Sequence, residues 1–271
     1  MKLKFGYFDT DVMLTTSNFI ISNIVDMNSE EVIAQADVDG WITAQSIKNR
    51  IFGLPQNYQI EGRFVTEDHA RFVVRCLSFF FGVKLGTLPM EFLDATNIKL
   101  NNAFGFVFMN NADIERALSV IYEQFTENSD INNMRISGII NLLFMGRNKF
   151  YLQFEQFEYC YMALEACYKF ISEKYGVKKA KYESKIGKIA DWTGIDVPVK
   201  FQELPRIRNN LFHEGLYVNN LLGYSHLQYN ILFLNNFICK VLFKILDINV
   251  PGYITEAKCE TRDMIGLTIA H

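Results

Sequence analysis

Three polar residues in one short segment have the types and spacing that could cut a phosphodiester. The segment reads Leu204-Pro205-Arg206-Ile207-Arg208-Asn209-Asn210-Leu211-Phe212-His213-Glu214-Gly215. An imidazole titrates near neutral pH, so His213 can take or give a proton. A guanidinium stays charged, and its fork matches phosphate oxygens. Arg208 can therefore hold the charge that builds up when a ribose 2′-hydroxyl attacks in line. Asn209 adds hydrogen bonds without charge. This set needs no metal ion, and none is expected, because the sequence carries no spaced His/Cys ligand cluster. No cofactor motif appears either.

Geometry restricts how these groups can cooperate. On a helix Asn209 and His213, four apart, share a face. Arg208 and His213 are five apart, so their side chains diverge by about 140°. Either the long Arg208 leans toward the imidazole, or a second copy of the chain supplies the partner. Spacing alone is weak, since an Arg and a His five apart arise often by chance, and a single helical His is ordinarily a surface or capped-core residue.

The elements around the segment follow from pattern. Lys2 to Phe8, Phe19 to Val25 and Val32 to Val38 are short strand-like runs, separated by turns at Asp9 to Asp11, Asp26 to Ser29 and Asp39-Gly40. Thr66 is a helix N-cap, Glu67 and Asp68 suit the helix dipole, and Gly82 stops the apolar run Ala70 to Phe81. Val83 to Phe108 returns to strand and turn character, broken by Pro89. From Asn111 the period becomes helical: Ile114, Leu118, Ile121 and Phe125, then Ile136, Ile139, Ile140, Leu143 and Phe144. A long run from Phe150 ends at Gly176, Asp191 to Pro198 is a loop, Pro205 opens a short helix, and Leu221 to Leu246 is a final one. The expectation is an α+β chain: a β-rich N-terminal domain over residues 1–110 and an all-α bundle over 111–271.

In that setting the segment resembles the signature of the HEPN family of RNA-cleaving domains: an Arg, a polar residue, three variable positions and a His. It follows a long helix and precedes a final apolar one, as in that family. The long helix contains Tyr161-Met162-Ala163-Leu164-Glu165-Ala166-Cys167-Tyr168, which looks like the family's first core helix. The order of parts also resembles defence-linked bacterial members such as the ApeA group. The likeness covers about residues 111–250. It implies a helical HEPN-like bundle, usually dimeric, with two motifs forming one composite metal-independent site. By that resemblance Arg208 and His213 are catalytic, and Asn209 orients His213 or the phosphate. Glu165 is a candidate for positioning, or simply a buried carboxylate paired with an arginine. One departure stands out. HEPN toxins paired with nucleotidyltransferase antitoxins carry a modified Tyr two residues after the His, where this chain has Gly215.

Other residues weigh on partners. Lys178, Lys179, Lys181 and Lys185, flanked by Lys174 and Lys188, could grip RNA phosphates, or form a solvated connection between helices. The net charge of −3 argues against a protein that coats nucleic acid, so any RNA contact is local. The five cysteines include no CxxC pair, and Cys160 and Cys167 share a helix face as core residues. With no apolar signal stretch, and with Asn235, Asn236, Lys240 and Lys244 breaking the longest apolar run, the expectation is a cytoplasmic protein without a membrane span. No GxxxxGK[ST], GxSxG or HExxH occurs. Two functions remain. One is a HEPN-type endoribonuclease, a toxin or antiphage effector that cuts RNA (tRNA among the candidates), acts as a homodimer and answers to an antitoxin or trigger ligand. The other is a non-catalytic HEPN-like dimerisation or ligand-binding adaptor.

Overall fold

Short strands that bury one face build the N-terminal part. In the computed structural model, which describes residues 1–24, 29–43, 54, 56–88, 95–99, 107, 109–177, 185–215 and 227–249, the strands are β1 (Lys2–Phe5), β2 (Leu14–Thr15), β3 (Phe19–Asn23), β4 (Trp41–Ile42), β5 (Tyr58–Gly62) and β6 (Thr96–Asn97). Four form an antiparallel sheet in the order β1-β5-β3-β2, and β4 pairs with β6. The register sets Phe5 opposite Tyr58, and Ile21 opposite both Ile60 and Leu14. All five side chains are fully buried, as period-two alternation requires for a sheet with one covered face.

Helices α1 (Ser29–Gln35) and α2 (Glu67–Phe81) complete this part, and α3 (Asn111–Glu127), α4 (Asp130–Gly146), α5 (Gln153–Tyr175), α6 (Lys185–Thr193), α7 (Leu204–Glu214) and α8 (Leu227–Ile245) follow. The fold is α+β, as expected. Thr66 caps α2 by accepting from the His69 backbone N–H, and Gly82 and Gly176 end α2 and α5 at φ 63° and 65°, in the left-handed region that glycine tolerates. The apolar stripes of α3 and α4 lie buried as their spacing predicts, with Phe125 and Phe144 half-buried at their ends. Among the described residues no helix is long and apolar enough to cross a membrane.

One expectation fails. Val32 to Val38 is not a strand; α1 runs to Gln35. A strand would put Val32, Ala34, Ala36 and Val38 on one face, yet Val38 is 96% exposed. Val32 and Ala36, four apart, are the pair that packs on Tyr7, Ile42, Leu54 and Ile98, which is helical spacing. The helix α6 also reaches Thr193, so the loop expected from Asp191 begins three residues later, at Gly194. The segment around Pro89 and the first residues of the last run, 221–226, lie outside the described residues.

Apolar packing continues across the change of pattern near residue 110. One core cluster extends from Phe5 and Phe8 through α2 to α8. Phe79 and Phe80 of α2 meet Phe243 of α8 edge-on. Lys149, in the turn between α4 and α5, reaches Asp37 at 2.5 Å and Asp39 at 3.2 Å and lies over the Trp41 ring. Helices α4 and α5 approach closely where Gly146 meets α5. A Cβ on Gly146 would fall 2.5 Å from Cys160 Sγ, in a fully buried position. Gly146→Ala is therefore expected to lower stability by about 1–3 kcal/mol through overpacking, read as a lower midpoint in denaturant unfolding.

His69 is a second sensitive point. Its ring is fully buried between Phe125, stacked at 4.4 Å, and Tyr122. Nε2 lies 2.9 Å from the Tyr122 carbonyl oxygen, so that nitrogen carries the proton, while Nδ1 is buried with no partner among the described residues. Burial pushes the imidazole below its ordinary value, with smaller opposing pulls from the Tyr122 carbonyl and Glu123. A second proton would place an N–H donor at Nδ1 with nothing to accept from it. The stability His69 contributes is thus present above the unfolded-chain value near 6.5 and is lost as pH falls through the lower folded value. Thermal melts from pH 7.5 to pH 5 should show a steeper loss for the wild type than for His69→Phe.

Candidate functional site

Anchoring residues on one side of α7 leave its polar residues on the other. Before it, the 3-10 turn Val199–Glu203 seats Phe201 flat on Phe233 of α8, with ring centroids 3.4 Å apart. Pro205 lies in the first turn of α7, where its missing N–H costs nothing. Leu204 and Ile207 are buried and Leu211 packs partly on the same core. Spacing of three and four then carries Phe212, His213 and Glu214 to solvent, with Arg208, Asn209 and Asn210 half-buried between. Gly215 stops the helix at φ 63°.

The three sequence-predicted residues of α7 therefore share one open end of a helix. His213 is exposed and makes no hydrogen bond among the described residues. The guanidinium of Arg208 lies over the Phe212 ring, 4.2 Å from its centroid. Arg208 Nη1 also donates a long, weak hydrogen bond to Asn209 Oδ1, at 3.4 Å. Asn209, expected to orient His213 or a phosphate, is thus engaged with its neighbour Arg208.

Helix α5 supplies acid beneath this end. Glu158 and Glu165 are seven residues apart, two turns along one face. Glu165 accepts from Lys185 of α6 at 2.9 Å, so its partner is a lysine rather than an arginine. Lys185 is accordingly spoken for by a carboxylate, as Lys188 is by Asp191 at 3.8 Å. Lys178, Lys179 and Lys181 lie outside the described residues. Among the described residues no group of His, Cys, Asp and Glu could hold a metal ion.

Sequence reasoning missed Glu158. Its Oε1 is buried with no hydrogen-bond partner among the described residues. Burial pushes its carboxyl up to about 7, Arg208 pulls it down, and Glu165 adds to the rise. The available signal was a second carboxylate two turns before Glu165, on the face of α5 that the apolar stripe leaves free. In the unfolded chain a glutamate titrates near 4.3. The folded protein favours the protonated form, so this contribution is fullest below that value and is lost as pH rises through about 7. Glu158→Gln should melt higher than the wild type at pH 8, by about 1 kcal/mol once the half-wet setting is discounted. The gap should narrow at pH 5 and close once the pH falls below the unfolded value of about 4.3.

Compared with known proteins, the chain matches no protein-family model, no curated protein and no solved structure.

Proposed function

We propose that this protein is a metal-independent endoribonuclease of the HEPN kind, a cytoplasmic toxin or antiphage effector that works as a homodimer on RNA. The observation that carries the reading is the placement of Arg208 and His213 at the open end of α7, half-buried and exposed respectively, with the core anchored by the opposite side of the helix. In the proposed reaction His213 takes the proton of a ribose 2′-hydroxyl. The 2′-oxygen then bonds to phosphorus, the bond to the 5′-oxygen breaks, and that oxygen takes a proton from water while the imidazolium returns its own to solvent. The products are a 2′,3′-cyclic phosphate and a 5′-hydroxyl. Arg208 stabilises the charge on the phosphoryl oxygens as it builds up.

Within one α7, Arg208 and His213 point about 140° apart, and Arg208 is drawn toward Phe212 and Glu158. A second copy that brings its own α7 alongside would resolve that divergence, which is why the reading includes a dimer. An antitoxin or trigger ligand would act by admitting or blocking this pairing.

The adaptor reading draws on a different observation. Phe212 and Met162 are exposed apolar residues beside the charged cluster, as a surface for self-association would have. The test is cleavage of end-labelled tRNA and mRNA in the presence of a chelator. General acid–base help is worth about 10²–10⁴-fold, so His213→Ala should lower the rate by that factor while its melting curve stays unchanged. Equal cleavage by the variant removes the ribonuclease reading and leaves the adaptor.

A further inference from the structure

Phe212 is 54% exposed, one position before the imidazole. Such a residue has no stabilising role in the chain's own core. Around the axis of α7, taking Arg208 as zero, Phe212 lies at about 40°, Asn209 at about 100° and His213 at about 140°. Phe212 thus stands between the guanidinium and the imidazole. Its ring already carries Arg208 over one face, at 4.2 Å.

Among the described residues near α7, the cations are offset by acids. The chain is acidic overall, at −3. Glu158 sits near Arg208, and Lys185 and Lys188 are each held by a carboxylate. A nucleic acid held mainly through its phosphates needs free cations in numbers. An aromatic ring next to a guanidinium offers another source of affinity. Any nucleobase has a π-face, and base–aromatic stacking is strong and tolerant of sequence. A base inside a duplex has both faces covered by its neighbours and cannot use such a ring.

We propose that Phe212, backed by Arg208, is a stacking platform for one unpaired nucleobase, so that the RNA this site takes is single-stranded where it binds. This rests on the ribonuclease reading for the identity of the ligand. The platform orders a base beside His213, and the adjoining ribose and phosphate then lie at the imidazole, where the α7 of a second copy would bring its guanidinium. Selectivity follows from access to the base face and not from its hydrogen-bonding edge, so the site would sort RNA by strandedness more than by sequence.

Binding is tested apart from cleavage, on full-length protein carrying His213→Ala. The probe is a fluorescein-labelled 12-nucleotide RNA, free or annealed to its complement, followed by fluorescence anisotropy. The single strand should bind at least ten times more tightly than the duplex. Adding Phe212→Ala or Phe212→Leu should weaken single-strand binding about 5–100-fold, whereas Phe212→Trp should preserve it. Leucine keeps apolar area without a π-face, so its failure points to stacking. Equal binding of the two forms, no binding of either, or unchanged affinity in Phe212→Ala overturns the platform. So does a loss of affinity that accompanies dissociation of a dimer in sedimentation, since Phe212 would then serve self-association. Cleavage by protein with His213 intact, run in parallel, separates the two ideas. Stacking-dependent binding without cleavage leaves the platform and removes the nuclease, and cleavage indifferent to Phe212 does the reverse.

Discussion

The close passage of α4 over α5 at Gly146 and Cys160 is the contact on which the rest of the helical packing depends. Helix α5 buries Phe157, Cys160, Ala163, Leu164, Cys167, Phe170 and Ile171, so it packs on more than one side. Only a narrow strip of its circumference is left for polar residues. Glu158, Met162 and Glu165 occupy that strip at spacings of four and three. Where α6 and α7 approach α5, they meet this strip, which is how Lys185 finds Glu165 and how Arg208 comes under the influence of Glu158.

That arrangement gives the end of α7 a mixed electrical character. A guanidinium alone would attract any anion. Here a carboxyl that titrates near neutrality lies close to it, so its pull on a phosphate varies with the protonation of its neighbour. Phe212 covers part of the same guanidinium, and a cation over an aromatic face is partly desolvated. Arg208 therefore has a ring against its face and a carboxyl within electrostatic reach before any ligand arrives.

Much of the helical part was legible because its punctuation is local. Thr66, Gly82, Gly176 and Pro205 act through backbone geometry within a turn or two, and each marks a boundary where the sequence places it. The N-terminal part was less legible because tertiary contacts choose between local options. Val32 to Val38 alternates like a strand, but Tyr7, Ile42 and Ile98 offer their surface to a four-residue spacing. Tyr58–Gly62, the strand between β1 and β3, is five residues long and escaped notice among polar neighbours. At the site, the residues of α7 were readable as a motif, but Glu158 was not. Its significance comes from lying beside Arg208, fifty residues away in sequence, and no short pattern encodes that.

The two sides of α7 have separate duties. Leu204, Ile207 and Phe201 hold the segment to the core, while Phe212, His213 and Glu214 stand clear of it. Substitutions on such an exposed side ordinarily change folding free energy by only about half a kcal/mol. Selection could thus revise these outward residues, and with them the recognition and chemistry proposed for this helix end, without rebuilding the scaffold. Active and inactive descendants of one ancestor could keep the same architecture and differ at three outward positions.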